Sequence, residues 1–314
     1  MITFVGAGPG DLELLTCKGQ RRLSSAEVVI YDRLVNPLLL FHCPPNCKFI
    51  YVGKQPYQDS IGQAAINQFL LNAHQNADKV VRLKGGDPEI FGRLAEEIAV
   101  VQQAVIPFEI IPGITAASGA AAYSGFPLTR RGQAGSVCFM TGYTKQGSFE
   151  QLTSLSLQQT ICLYMGMESF RQTLPQLLDV FPETTPIALV QWGTYGRQKK
   201  VSGTLATIAA RLAEHKLQNP AIIIIGAVVA QHTTFDWYER LPLKGQRLLL
   251  IASRPPQISE LIHYTEQGAD LWWHQVGPKR DRRFDEISER YLAEHAFEQI
   301  KFIDEAAKAA YQAK

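Results

Sequence analysis

The sequence predicts an α/β protein in which a mainly parallel sheet occupies the first part of the chain. Short apolar runs rich in β-branched residues recur from the first residues onwards, which is typical of buried strands. Segments with a helical spacing of apolar residues separate most of these runs, and this alternation favours parallel strands covered by helices. Several runs stop abruptly at glycine, which predicts tight loops at the strand ends.

The part of the chain up to about Ala122 contains the clearest alternation. Strands are predicted over residues 2–5, 28–31, 49–52, 80–83 and 108–111, and helices over 14–23, 61–77 and 94–104. Residues 115–122 are all small, so this segment predicts a helix whose backbone lies very close to a partner. That partner could be another helix or a flat ligand, and the residues alone leave both open.

The most informative stretch is Lys84-Gly85-Gly86-Asp87-Pro88, which directly follows a predicted strand. Two adjacent glycines allow positive φ and let a ligand lie against bare backbone, while Asp87 adds a carboxylate beside it. Ligands of open α/β sheets bind outside the carboxyl ends of the strands. We therefore expect a ligand site at this edge of the sheet.

Two further charged residues, Asp32 and Lys54, also follow predicted strands and are expected at the same edge. The loop after the first strand, residues 6–11, leaves a nicotinamide cofactor as a minority interpretation. Asp11 stands where the dinucleotide fingerprint requires glycine, and Pro9 lacks the backbone N–H that would bind a pyrophosphate.

A second α/β unit is predicted from about Ser136. Its strands would cover residues 137–141, 160–165, 187–191 and 221–226, and residues 199–204 would lead into a helix that ends near Leu212. Residues 241–245 have the composition of a linker. Beyond it we expect a strand over 247–253, a helix over 258–267, and a largely helical remainder with a short strand near 299–303.

Composition limits the classes of function. The chain has 314 residues, 46% of them hydrophobic and 19% charged, with a formal net charge of +2, which is too small to indicate nucleic acid binding. The start of the chain lacks the charged region of a signal peptide, and the longest apolar run, Ala221–Ala230, is half of the roughly 20 residues that span a membrane. We expect a cytoplasmic protein without a membrane segment.

The five cysteines do not form a pattern typical of a disulfide framework. His42, Cys43 and Cys47 are close in sequence, but Pro44-Pro45 intervenes and no second pair of ligands lies nearby. We expect free thiols and no metal site.

Six motifs, in this order and spacing, resemble one family. They are Val5-Gly6-Ala7-Gly8-Pro9-Gly10-Asp11, Tyr31-Asp32-Arg33-Leu34, Tyr51-Val52-Gly53-Lys54, Arg82-Leu83-Lys84-Gly85-Gly86-Asp87-Pro88, Pro112-Gly113-Ile114-Thr115-Ala116 and Gly125-Phe126-Pro127-Leu128-Thr129. Together they resemble the uroporphyrinogen-III C-methyltransferases of the tetrapyrrole methyltransferase superfamily, over roughly residues 1–240. An ordered set of this kind is far more specific than a lone glycine-rich loop.

The resemblance implies two α/β domains with S-adenosylmethionine in the cleft between them, usually in a homodimer, and S-adenosylhomocysteine as a product. By match to the family motifs, the cofactor-binding residues would be Pro9, Gly85, Gly86, Asp87, Ile90, Thr115, Ala116, Met165, Gly193 and Ala221. Asp32 and Lys54 match the positions that have acid–base roles in the family.

The substrate that the resemblance implies is uroporphyrinogen III, methylated at C2 and C7 to give precorrin-2 for sirohaem or cobalamin. A polycarboxylate of this kind needs basic partners, preferably arginine. The candidates at the mouth of the cleft are Lys54 and four arginines, namely Arg33, Arg93, Arg130 and Arg131.

The sequence departs from the family pattern at Gln55–Asp59, Glu89, Leu94 and Arg130, all near the expected substrate path. Alternatives are therefore a methyltransferase for a later precorrin, and a cofactor-binding protein that has lost catalysis. A ribosomal-RNA methyltransferase of the same superfamily would be expected to carry more positive charge.

The end of the chain resembles, more weakly, the opening of uroporphyrinogen-III synthase, through Lys244–Leu250, Gly268-Ala269-Asp270 and Phe297–Ala310. An unrelated helical appendage is the alternative. We expect methyltransferase domains at 1–122 and 123–243, and a small α/β or helical appendage at 244–314 that is a remnant or truncated form of a synthase without synthase activity.

Overall fold

The computed structural model describes residues 1–53, 62–142, 156, 158–234 and 236–312. The strands are β1 (Ile2–Gly6), β2 (Val28–Tyr31), β3 (Lys48–Tyr51), β4 (Val80–Lys84), β5 (Phe108–Ile111), β6 (Ser136–Thr141), β7 (Gln159–Tyr164), β8 (Pro186–Gln191), β9 (Lys199–Thr204), β10 (Ala221–Ile225), β11 (Arg247–Ala252), β12 (Asp270–Gln275) and β13 (Gln299–Phe302).

The α-helices are α1 (Cys17–Leu23), α2 (Gln63–Asn76), α3 (Leu94–Gln103), α4 (Ala116–Tyr123), α5 (Phe170–Val180), α6 (Ile208–His215), α7 (Ile258–Thr265), α8 (Asp285–Glu294) and α9 (Glu305–Gln312). Short 3-10 helices cover Leu12–Leu14, Pro37–His42, Ala227–Thr234, Tyr238–Arg240 and Arg282–Phe284. Within the described part of the chain, no helix combines the length and the apolar character needed to cross a bilayer.

The first sheet is parallel throughout, as predicted, with the strand order β3-β2-β4-β1-β5. Successive residues of a strand point to opposite faces. Ile30 accordingly packs with Leu70 of α2 and Val101 of α3, while Val29 and Tyr31 belong to a separate apolar cluster on the other face. Both faces are covered, which explains the nearly continuous apolar runs in these strands.

The helix predicted over 14–23 begins later than expected. Asp11 caps the 3-10 turn Leu12–Leu14 by accepting a hydrogen bond from the Glu13 N–H (2.9 Å), and Leu15 is extended. Thr16 then caps α1, because its hydroxyl oxygen accepts a hydrogen bond from the Gly19 N–H (3.1 Å). The polar residue that breaks the dinucleotide fingerprint is thus a helix cap.

The second sheet has the order β6-β7-β10-β8-β9 and is mixed. β6 and β7 are parallel, whereas the other neighbouring pairs are antiparallel. Residues 199–204, expected only to lead into a helix, form β9 because they pair along the whole of β8. Helix α5, which was not predicted from the sequence, buries Phe170, Thr173 and Leu177.

The C-terminal module, residues 242–312, is a β-α-β-α-β-α unit with a parallel sheet of order β12-β11-β13. The strand over 247–253, the helix over 258–267 and the strand near 299–303 are confirmed. The prediction that residues 270–275 are helical is wrong. They form β12, whose Trp272 and Trp273 are fully buried on opposite faces. Adjacent aromatic residues favour a strand, but the prediction followed the high Glu and Ala content of the whole C-terminal segment.

The chain divides into two compact units. The first comprises Met1–Thr115, Tyr195–Arg197 and Pro242–Lys314, and the second comprises Ala116–Thr194 and Gln198–Leu241. In the first unit, one apolar cluster contains side chains of β1, β2 and β4 together with Leu249, Trp272 and Phe284 of the C-terminal module. The module and the N-terminal sheet therefore share a core.

Candidate functional site

The loops that follow β1 and β4 lie against each other in the first unit. The Gly8 N–H donates to the Gly86 carbonyl (3.1 Å), and the Gly86 N–H donates to the Gly8 carbonyl (2.8 Å). Both residues have positive φ, +74° at Gly8 and +67° at Gly86, which glycine adopts without strain. Pro9, Gly85 and Gly86, predicted from distant parts of the sequence, are thereby brought together at one edge of the sheet.

The strand ends meet so closely here that side chains are excluded. A Cβ on Gly6 would lie 2.6 Å from Gly113 Cα and 2.8 Å from the Gly86 carbonyl oxygen. A Cβ on Gly85 would lie 2.8 Å from Leu34 Cβ. Glycine is therefore required at these positions by the close approach of the strand-end loops to one another.

Asp87, Ile90 and Thr115 complete the cofactor set predicted within the first unit. The Asp87 carboxylate accepts a hydrogen bond from the Glu89 N–H (2.9 Å), and the Asp87 carbonyl accepts one from the Ile90 N–H (3.2 Å). These bonds form a compact turn after Gly86. Thr115, in the loop between β5 and α4, is buried.

Asp32 lies directly after β2, at the same carboxyl edge as the glycine loops, as predicted. One carboxylate oxygen accepts a hydrogen bond from the Leu34 N–H (3.1 Å), and the other pairs with the guanidinium of Arg82 (3.4 Å). The Asp32 side chain stays 28% exposed, so a ligand can reach it. Lys54, the other predicted acid–base residue, lies outside the described residues.

A buried ion network that was not predicted from the sequence lies beneath Asp32. Arg82 and Lys84 point to the same face of β4, and both donate to Glu97 Oε1 of α3, at 3.3 and 2.8 Å. All three side chains are at least 95% buried. Burial lowers the pKa of Lys84, as does the adjacent charge of Arg82, whereas Glu97 opposes this shift.

Two basic residues in an otherwise apolar central strand were the available signal for this network. Buried charges are rare unless they are paired, so Arg82 and Lys84 required a buried acid. The sequence contains adjacent candidates, Glu96 and Glu97, on the next helix. Only the orientation of α3 selects Glu97, because Glu96 points outward and pairs with exposed Arg93.

Two tyrosines border the strand ends next to Asp32. Tyr31 and Tyr51 are register partners on β2 and β3, and their ring centroids are 5.3 Å apart. A Cβ on Gly53 would overlap the Tyr51 hydroxyl and would lie 2.8 Å from the Arg33 nitrogen. Tyr51 thus reaches the loop that carries Asp32 and Arg33.

In the second unit, the small-residue helix α4 organises the predicted residues. The Tyr164 hydroxyl accepts a hydrogen bond from the Ala117 N–H (3.1 Å), which places the start of α4, with Ala116, beside the end of β7. Met165 follows there with φ of +55° and an exposed fraction of 54%. A left-handed, half-exposed methionine is an unusual conformation that recurs at functional sites.

Gly193 and Ala221 lie at neighbouring strand ends in the same unit. Gly193 packs on α4, since a Cβ there would lie 3.0 Å from Ala120 Cβ. Ala221 is the register partner of Gln191, two residues before Gly193. Within this unit, Ala120 of the small-residue helix therefore contacts a glycine loop, a neighbour that was not predicted from the sequence.

The four predicted substrate-binding arginines are exposed but differ in their surroundings. Arg93 forms a bidentate pair with Glu96, with bonds of 2.8 and 2.6 Å, so its charge is already partnered. Arg130 lies in a turn closed by backbone bonds to Ala134, and Arg131 follows it. Arg33 has no ion-pair partner among the described residues and adjoins Asp32.

The described part of the chain contains no group of three or more His, Cys, Asp or Glu side chains placed to hold a metal ion. All five cysteines are free, as predicted, and Cys43 and Cys47 are buried.

Comparison with known proteins identifies similar chains. The sequence profile of the Tetrapyrrole (Corrin/Porphyrin) Methylases matches residues 1–209. The uroporphyrinogen-III C-methyltransferase of Bacillus subtilis is 40% identical over 278 residues, which are 86% of this chain and 57% of that protein. The siroheme synthase of Acinetobacter baylyi is 46% identical over 240 residues, covering 75% and 52% of the two chains.

A solved structure is similar over nearly its entire length. The uroporphyrin-III C-methyl transferase of Thermus thermophilus, crystallised with S-adenyl homocysteine, is 34% identical with a TM-score of 0.63. The match covers 73% of this chain and 98% of the Thermus chain. In contrast, this chain spans about half the length of the curated relatives that it matches.

Proposed function

The chain belongs to the tetrapyrrole methylase family, and on this premise we propose that it transfers methyl groups from S-adenosylmethionine to uroporphyrinogen III. The proposed product is precorrin-2, methylated at C2 and C7, which feeds sirohaem or cobalamin synthesis. The Thermus relative bound to the demethylated donor supports the choice of methyl donor. The names of the curated relatives support the choice of substrate.

The single observation that carries this proposal is the position of Asp32. Its carboxylate lies at the carboxyl edge of a parallel sheet, beside the paired loops of Gly8 and Gly86, and a buried guanidinium holds it in place. A carboxylate in this position can accept a proton from a ligand that lies across the strand ends.

The predicted residues fit a nucleoside-type methyl donor. Gly85 and Gly86 offer backbone without side chains, Pro9 follows the paired Gly8, and Asp87 supplies a polar group next to Gly86. From the second unit, Ala116, Met165, Gly193 and Ala221 are proposed to contribute further contacts. S-adenosylmethionine supplies an electrophilic methyl group on sulfur.

Asp32 then acts as the base in the proposed reaction. A pyrrole carbon of the substrate is nucleophilic, and the ring must lose a proton after the new carbon–carbon bond forms. The ion pair with buried Arg82 holds the Asp32 carboxylate at this edge of the sheet. Lys54 is proposed as a second charge near Asp32, and Arg33, Arg93, Arg130 and Arg131 as partners of the substrate carboxylates.

The organisation of the protein is part of the same proposal. Residues 1–122 and 123–243 would form the two methyltransferase domains, with a synthase-like remnant at 244–314 that lacks synthase activity. We also propose that the protein works in the cytoplasm as a homodimer, as the family resemblance implies.

Mass spectrometry of anaerobic incubations with S-adenosylmethionine and enzymatically generated uroporphyrinogen III tests the proposal. We expect two added methyl groups with the unaltered protein. Asp32→Ala should lower turnover by about 100-fold or more, since a positioned base contributes on the order of 100- to 10,000-fold. Binding of S-adenosylmethionine, measured by calorimetry, should stay unchanged.

Asp179→Ala, which removes an exposed carboxylate from α5, is the matched control and should leave turnover intact. Equal turnover in Asp32→Ala and the unaltered protein would remove Asp32 from the mechanism. Binding of S-adenosylmethionine without methylation would instead favour a later precorrin substrate or a protein without catalysis.

A further inference from the structure

Helix α8 of the C-terminal module lies alongside the edge strand β3 of the N-terminal sheet. Immediately before the helix, Arg283 donates hydrogen bonds to the carbonyls of Pro44 (2.8 Å) and Cys47 (3.0 Å), which precede β3. Near the middle of the helix, Arg290 contacts Tyr51, the last residue of β3. The helix therefore runs in the direction of the strand and carries Arg290 to the carboxyl edge of the sheet.

Arg290 is held by two aromatic side chains at this edge. Its guanidinium carbon lies 3.6 Å from the centroid of the Tyr51 ring, and its Nη2 donates to the Tyr31 hydroxyl (3.4 Å). Stacking on an aromatic face stabilises a cation and leaves the in-plane N–H groups of the guanidinium available. Among the described residues, no carboxylate forms an ion pair with Arg290.

The surroundings of Tyr51 connect Arg290 with the candidate active site. Burial raises the pKa of the Tyr51 hydroxyl, and the nearby charge of Arg290 lowers it in part. The charges of Asp32 and Arg33 also act on this hydroxyl. The Tyr51 ring thus has the guanidinium of Arg290 on its face, while its hydroxyl reaches the loop of Asp32.

We propose that Arg290, supplied by the C-terminal module, binds a carboxylate of the tetrapyrrole substrate. The inference rests on the proposed function, because it takes the ligand at this edge to be a polycarboxylate. A half-buried guanidinium without a counter-ion, fixed in orientation by Tyr31 and Tyr51, is suited to bidentate recognition of a carboxylate. The module would then form part of the substrate site.

An anchoring role alone would have a different signature. If Arg290 only attached α8 to β3 by stacking, its loss would lower the stability of the protein and leave ligand affinity unchanged. If it binds a carboxylate, its loss lowers affinity for the polycarboxylate ligand in particular. Affinity for S-adenosylmethionine then remains at the level of the unaltered protein.

The test uses the full chain and uroporphyrin III, the oxidised and unreactive form of the substrate that carries the same carboxylates. Its dissociation constant is measured by fluorescence for the unaltered protein, Arg290→Ala, Arg290→Met and Arg290→Lys. We expect a rise of about tenfold for Arg290→Ala and Arg290→Met. Arg290→Met keeps an apolar stem over Tyr51, so it remains informative if the alanine variant folds poorly.

Arg290→Lys should lose less affinity, because it keeps the charge without the planar fork. In turnover assays, the KM for uroporphyrinogen III should rise while kcat and the KM for S-adenosylmethionine stay within about twofold. Lys279→Ala, at an exposed cation of the same module, is the matched control and should change none of these quantities.

Two outcomes separate this inference from the proposed function. If the unaltered protein methylates uroporphyrinogen III and the Arg290→Met variant binds uroporphyrin III equally well, the inference about Arg290 is wrong and the proposed function stands. If the unaltered protein binds uroporphyrin III but never methylates uroporphyrinogen III, the proposed function fails. A weaker affinity of the Arg290 variants would then still support the carboxylate site.

Discussion

Asp32 depends for its position on charges that lie inside the N-terminal unit. Arg82 connects its carboxylate to Glu97, and Lys84 shares the same oxygen of Glu97. The second oxygen, Glu97 Oε2, is buried without a hydrogen-bond partner among the described residues. The buried Glu97 carboxylate therefore contacts both buried cations, and the geometry of Asp32 depends on it through Arg82.

Glu97→Ala should lower the free energy of unfolding by about 3 to 5 kcal/mol, because it leaves two buried cations without their common partner. Urea denaturation followed by circular dichroism measures this change. Glu96→Ala removes the neighbouring carboxylate, whose pair with Arg93 is about half exposed, and should cost less than about 1 kcal/mol. Similar losses in both variants would contradict a central role for the buried network.

Among the elements, the 3-10 helix Arg282–Phe284 and α8 attach the C-terminal module to the first sheet. The Phe284 ring stacks on Phe41 with a centroid distance of 4.1 Å and meets Phe49 edge-on at 5.4 Å. Arg283 adds its bonds to the chain before β3. These contacts fix the direction of α8 and hence the place of Arg290.

Phe284→Ala should lower the free energy of unfolding by about 3 to 5 kcal/mol, because removal of a buried aromatic ring leaves a cavity. Phe302→Ala, in β13, is the matched control. That ring is 37% exposed, so its removal should cost about 1 kcal/mol. Denaturant midpoints of the two variants provide the comparison, and equal midpoints would mean that the Phe41–Phe284 stack contributes little.

At the scale of the whole molecule, the free energy of unfolding should depend on pH through partly buried histidines. Burial lowers the pKa of His295, and the charge of Arg197 lowers it further. Between this lowered pKa and the ordinary value of about 6.5, the unfolded chain binds more protons than the folded one. His295 therefore contributes fully to the free energy of unfolding above about pH 6.5. This contribution decreases as the pH falls from about 6.5 to the lowered pKa of His295.

Denaturation curves at about pH 7.5 and about pH 5.5 test this dependence. We expect a smaller loss of stability on acidification in His295→Gln than in the unaltered protein. His215→Gln alters an exposed histidine at the end of α6 and should behave like the unaltered protein. The pKa of partly buried His42 is also lowered by burial, so a residual pH dependence should remain in His295→Gln. An unchanged pH dependence in His295→Gln would show that His295 does not contribute.

Much of the candidate site was accessible from the sequence by itself. Glycine-rich breaks after apolar runs predicted both the parallel sheet and its ligand edge, because strand ends of a parallel sheet share one side. Asp32, Gly85 and Gly86 were placed correctly for this reason. The resemblance to one family rested on the same segments, since close backbone approach tolerates few alternatives to glycine.

Only the tertiary structure decided which distant side chains meet. Local sequence patterns indicate which residues are buried. The partner of a buried charge, however, depends on how a helix is rotated against its sheet. The rotation of α3 makes Glu97, and not Glu96, the partner of Arg82. The aromatic strand with Trp272 and Trp273 was missed because its formation depends on pairing with β11. The place of Arg290 beside Tyr51 depends on packing between segments more than 200 residues apart, for which a local pattern carries no information.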